Sequence, residues 1–131
     1  MCGIAGILNL DGRGVERAVL QRMNAALAHR GPDAGEIWTD AAVGFAHRRL
    51  AIRDLTEAGR QPMSDPSGRI TVTYNGEIYN EVELRTELER DFGTAFRSHC
   101  DTELLPAGYL AWGNALFSRL EGIFAIGLWD S

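Results

Sequence analysis

Two stretches of the chain, Gly3 to Leu10 and Gly122 to Trp129, are almost continuously apolar, and they constrain the fold most. A strand with one wet face alternates apolar and polar residues, so a strand without that alternation is expected to be covered on both faces. Gly3 to Leu10 stops at the turn signal Asp11-Gly12 and reads as such a strand. A second sheet on one side and helices on the other would supply the cover, which makes the expected fold an α+β layered sandwich.

The rest of the chain fills those layers. Val15, Val19, Met23 and Leu27 recur every four residues, predicting an amphipathic helix that stops near His29-Arg30-Gly31-Pro32. Short strands are expected at Glu36 to Thr39 and Val43 to Arg48. From Asp54 to Gly68, the Gly and Pro residues predict a long surface loop. Ile70, Val72 and Tyr74 alternate with Thr71 and Thr73, a period-2 strand ending at Asn75-Gly76. A helix from Asn80 to Asp91 would be capped by Asn80, with Glu83 three residues on. Another should begin near Asp101, with Leu105, Tyr109 and Trp112 on one face. Pro106 inside it would cost up to about 3 kcal/mol.

The 131 residues suffice for one domain and are too few for two. A net charge of -5 leaves no basic stripe to neutralise phosphates, so a nucleic-acid footprint is excluded. All 13 basic residues are Arg. There is no basic segment ahead of an apolar start, and no apolar run of membrane-spanning length. Two cysteines without a Cys-x-x-Cys pair suggest neither a disulfide framework nor a zinc site. The expected location is the cytoplasm, with reduced thiols.

Cys2 follows the initiator Met directly. Removing Met1 would place a thiol and a free α-amine on one residue, and an N-terminal nucleophile can use its own amine as general base. By residue type alone Cys2 is equally a small buried hydrophobe. Arg48-Arg49-Leu50 ends an apolar strand, where one Arg could clamp a carboxylate or merely make a rim ion pair. Asn75-Gly76-Glu77 could be a hairpin turn, yet Ile78-Tyr79-Asn80 leads toward a helix, and an amide with a glycine N–H would serve as an oxyanion hole. Asp101 is either an N-cap or the partner of an ammonium group. Together these groups would fit an amino acid with a reactive side-chain carbonyl.

Several motifs occur in order: Met1-Cys2-Gly3-Ile4-Ala5-Gly6, His29-Arg30-Gly31-Pro32-Asp33, Arg49-Leu50-Ala51-Ile52 and Gln61-Pro62. Asn75-Gly76-Glu77-Ile78-Tyr79-Asn80, Cys100-Asp101-Thr102-Glu103, Trp112-Gly113 and Leu120-Glu121-Gly122-Ile123-Phe124-Ala125 follow. Over essentially its whole length the chain resembles the class II glutamine amidotransferase domain of glutamine-hydrolysing asparagine synthetases. Relatives that make glucosamine phosphate or phosphoribosylamine share the Cys-Gly-Ile start and differ at the second and fifth of these motifs.

The resemblance implies the N-terminal-nucleophile fold, a four-layer α-β-β-α sandwich of antiparallel sheets. It implies that Cys2 attacks the glutamine side-chain amide while Asn75 and Gly76 hold the oxyanion. It also implies that Arg49 pairs with the α-carboxylate and that Glu77 and Asp101 receive the α-ammonium. The stretch from Arg49 to Arg53, with Leu50 and Ile52, would line the pocket. No metal or cofactor is expected in this domain; ATP and Mg²⁺ are implied for a synthetase domain or subunit that accepts the ammonia. No Ser-Gly-Gly-x-Asp-Ser pyrophosphate loop is present, and the final apolar strand has no partner after it, so a C-terminally truncated single domain spanning residues 1–131 is expected. A homodimer is a possible assembly. Two alternatives remain open: a non-catalytic module that binds glutamine or a partner, and the same domain from an amide synthetase with a different acceptor.

Overall fold

The computed structural model describes residues 2–51 and 57–131. The elements in chain order are β1 (Gly3–Leu8), α1 (Arg17–Ala26), β2 (Ala34–Asp40), β3 (Val43–Arg49) and a 3₁₀ turn at Glu57–Gly59. Next come β4 (Met63–Ser64), β5 (Ile70–Ile78), α2 (Glu81–Phe92) and a 3₁₀ turn at Asp101–Glu103. The chain continues with α3 (Leu104–Trp112), α4 (Ala115–Arg119) and β6 (Gly122–Asp130). The strands form two antiparallel sheets, ordered β1-β3-β2 and β4-β5-β6. Helix α1 covers the outer face of the first sheet, α3 packs on β5 in the second, and α2 packs on α3. The sheets meet face to face, giving the expected α-β-β-α layers.

Strand periodicity explains the packing. Along β3, Phe45 and His47 point at the second sheet, while Gly44 lies under α1, where an added Cβ would come within 2.9 Å of Leu20 Cδ2. On β5, Ile70, Val72, Tyr74 and Ile78 join Leu84, Leu88, Leu104, Leu105, Leu116 and Leu120 in the main core. The threonines of β5 are buried too, because their face lies between the sheets; Thr73 Oγ1 donates to Ala46 O at 3.4 Å.

Several expectations are corrected. The two apolar strands are not covered on both faces, with Leu8 54% and Ile123 74% exposed; β1 lies at a sheet edge, as does β6, whose lack of a further partner was expected. An apolar run encodes strand character and says nothing about edge position, and on β6 partial cover reaches only Ile126 to Asp130. The buried line of α1 runs through Leu20 and Asn24, one position along from Val19 and Met23, which are half-buried, and Val15 precedes the helix.

Asn75-Gly76 makes no turn, since β5 continues to Ile78 in unbroken register with β6. Asn80 stands at the N-cap of α2, but its side chain caps nothing. It donates to Arg119 O at 2.8 Å and accepts from the Glu121 N–H at 3.0 Å, tying the start of α2 to the entry of β6. Pro106 is the third residue of α3, in the first turn, where a missing N–H leaves no helical bond unmade. The expected cost therefore vanishes. The long loop contains β4 and a 3₁₀ turn.

Candidate active site

The inner face of the first sheet presents Ile4 and Gly6 on β1 opposite His47 and Phe45 on β3. Continuing that period, Cys2, one residue before β1, falls on the same face beside Arg49, the last residue of β3. The thiol is held against the next peptide: the Leu50 N–H donates to Sγ at 3.4 Å, and Sγ lies 3.8 Å from Leu50 O.

The His29–Asp33 turn, which sequence reasoning gave no role beyond ending a helix, fixes both neighbours. Arg30 Nε donates to Cys2 O at 3.2 Å. Gly31 lies so close to β3 that a Cβ would sit 2.4 Å from the Arg48 carbonyl carbon. Asp33 donates its N–H to Arg49 O at 3.1 Å and accepts the Ala51 N–H on Oδ2 at 2.8 Å.

The facing wall comes from β5 and the turn at Asp101–Glu103. Asn75 and Glu77 share the inner face of β5, as the alternation with Tyr74 and Ile78 requires. Gly76 opposes Phe124 of β6, and a Cβ at Gly76 would lie 2.3 Å from Ile123 O. Asp101 is buried and accepts a hydrogen bond from the Tyr74 phenol on Oδ2 at 2.7 Å. The segment leading to it is pinned by buried-side charges. Arg85 donates to Ser98 O at 3.2 Å and to Cys100 O, pairs with Glu81 at 2.9 Å and lies 4.2 Å from the Phe96 ring centroid. Glu103 accepts the N–H groups of Arg97 and Ser98, each at 2.9 Å.

These walls enclose a cavity of about 290 Å³. Cys2, Arg49, Leu50, Asn75, Gly76, Glu77 and Asp101 all line it. Ile52 and Arg53, also expected there, lie outside the described residues. The cavity thus gathers a thiol, a guanidinium, two carboxylates, a side-chain amide and a glycine. That combination suits a small zwitterion carrying a polar side chain.

His47, Gln61 and Tyr74, to which the sequence reading gave no part in the site, also line the cavity. Gln61 donates to Thr102 Oγ1 at 3.0 Å and accepts the Tyr74 N–H at 2.6 Å. His47 is 1% exposed, with Nε2 3.2 Å from Tyr74 O. Burial pushes its imidazole down to about 4; the Arg49 charge acts in the same direction, and the bond to Tyr74 opposes both. His47 is therefore neutral at pH 7, and Nε2 carries the hydrogen donated to the carbonyl. Period 2 on β3 marks His47 as facing inward, but its contact lies 27 residues away in sequence.

The layered sandwich, with a thiol, a guanidinium and two carboxylates gathered in one cavity, agrees with an amidotransferase domain. The chain belongs to the glutamine amidotransferase domain family, which matches residues 1–131. It is 41% identical over 133 residues to glutamine-hydrolyzing asparagine synthetase 3 of Bacillus subtilis strain 168, covering 99% of this chain and 21% of that protein. It is 35% identical over 142 residues to amidase chry2 of Gibberella zeae, covering 99% of this chain and 21% of that protein. Among solved structures, the glutamine phosphoribosylpyrophosphate amidotransferase of B. subtilis, complexed with ADP and GMP, matches with a TM-score of 0.58. It is 21% identical and the match covers 97% of this chain and 29% of that one, a likeness of fold. The chain spans about a fifth of the length of these curated relatives. Among the described residues, no helix is long and apolar enough to cross a membrane.

Proposed function

We propose that this domain hydrolyses the side-chain amide of glutamine, with Cys2 as nucleophile, and supplies ammonia to a synthetase domain or subunit. The reading is carried by one observation: the thiol of Cys2 shares a small cavity with Arg49, Asn75, Gly76, Glu77 and Asp101. The substrate α-carboxylate pairs with Arg49, and its α-ammonium lies against Glu77 and Asp101. Leu50 completes the binding wall. That orientation brings the side-chain carbonyl to Cys2.

The chemistry needs no external base. Once Met1 is removed, the Cys2 α-amine accepts the thiol proton as Sγ bonds to the amide carbon. The carbonyl electron pair moves onto oxygen, and the Asn75 amide and Gly76 N–H donate to that oxyanion. The collapse of this intermediate breaks the C–N bond, the amine returns the proton to nitrogen, and ammonia leaves. Water then attacks the thioester, with the amine again taking a proton, and glutamate departs as the Cys2 thiol reforms.

Among the described residues, no cluster of three or more His, Cys, Asp or Glu could hold a metal ion. By family resemblance we assign ATP and Mg²⁺ to a synthetase domain, with aspartate as the acceptor. The similarity to a protein named as an amidase keeps a different carboxylate acceptor as a second reading. The test is glutamate release from glutamine by the Met1-processed protein, alongside Cys2→Ala. Turnover lost in the variant supports the proposal; equal turnover in both proteins, or none in either with the fold intact, defeats it.

A further inference from the structure

The cavity has two ends, a carboxylate for the substrate ammonium and an amide pair for the oxyanion, and one residue touches the supports of both. Tyr74 is buried on β5, where its ring belongs to the core between strand and helices. Its phenol donates to Asp101 Oδ2 at 2.7 Å. Its N–H donates to Gln61 Oε1 at 2.6 Å, and Gln61 passes on to Thr102 Oγ1 at 3.0 Å. Its carbonyl, 3.2 Å from His47 Nε2, fixes the plane of the peptide it shares with Asn75. Three separate segments of the chain therefore converge on this residue.

We infer that Tyr74 is the positioning residue of the cavity: its phenol sets the Asp101 carboxylate for an α-ammonium group, while its peptide sets Asn75. The inference rests on the glutaminase reading above. An aspartate carboxylate rotates freely about its terminal bond unless one oxygen is held. The Tyr74 hydroxyl, carried on a ring locked in the core, holds Oδ2 at 2.7 Å. The phenol works at the ammonium end, away from the reacting carbonyl. Its removal should weaken substrate binding and leave the chemical step intact.

Tyr74→Phe keeps the packed ring and removes only the hydroxyl. The experiment is steady-state glutamine hydrolysis by the parent and by Tyr74→Phe, with crystal structures of both. A charge-assisted hydrogen bond of this kind predicts a KM about tenfold higher, with kcat within about twofold of the parent. In the variant structure, the Asp101 carboxylate should be turned away from its parent orientation. An unchanged KM, or a loss confined to kcat, would overturn the inference. If the parent itself does not hydrolyse glutamine, the glutaminase reading fails by itself. The crystal structures then decide the positioning role: a turned Asp101 in Tyr74→Phe upholds it, and an identical rotamer ends it.

Discussion

Replacing His47 with Gln removes a buried titratable group while keeping a side-chain N–H able to reach Tyr74 O. Burial holds the native imidazole at about 4, against about 6.5 in an unfolded chain. Above pH 6.5 both states are neutral at this position, and His47 adds no pH dependence. As the pH falls below 6.5 the unfolded chain takes up a proton that the folded protein refuses, so stability drops until about pH 4, where both states are charged. A gap of roughly 2.5 units gives about 3 kcal/mol over the whole window, of which about 2 kcal/mol is lost between pH 7 and pH 5. His29 and His99 are exposed in parent and variant alike and cancel in the comparison. Urea unfolding at pH 7 and pH 5 should show the parent losing about 2 kcal/mol more than His47→Gln. Equal losses in the two proteins, or an imidazole that titrates near 6.5 by NMR, would refute the reasoning.

Other perturbations have equally definite outcomes. Gly76→Ala must force β5 and β6 apart, because its Cβ would lie 2.3 Å from Ile123 O; urea unfolding should report a loss of roughly 2 kcal/mol or more. Asn80→Ala loses both bonds that tie α2 to the entry of β6, and should cost about 1–2 kcal/mol, with Asn80→Asp recovering part through the retained acceptor. Gln61→Ala removes the acceptor of the buried Tyr74 N–H and the amide that donates to the Thr102 hydroxyl. Thermal or chemical unfolding should show a loss of about 1–3 kcal/mol.

The layers and the cavity were legible because their signals are local. Period-2 patterns fix which strand residues share a face, although the period-4 line on α1 fell one position from the buried one, and the motif residues open on one space. The edge position of β1 was not legible, because Gly3 to Leu8 carries the same apolar pattern whether one or two strands flank it, whereas the last strand was expected to lack a second partner. The bridges around the cavity were hidden for a related reason. Gln61 to Tyr74, Tyr74 to Asp101 and His47 to Tyr74 join residues 13 or 27 positions apart, and single residue types give no hint of such pairings. Asn80 shows the converse failure: a sound capping signal at a true helix start, with the side chain drawn off by a partner 39 residues away.

Cys2 shares its cavity with a second thiol, Cys100, so the most direct test of its role is to find where a reactive substrate mimic becomes attached. A glutamine analogue with an electrophilic carbon in place of the side-chain amide should be incubated with the protein, and the peptides mapped by mass spectrometry. The expected result is one adduct, on Cys2, in an N-terminal peptide that has lost Met1, with loss of glutamine hydrolysis in parallel. An adduct on Cys100 alone, or inactivation with Cys2 unmodified, would contradict the assignment of Cys2 as the nucleophile.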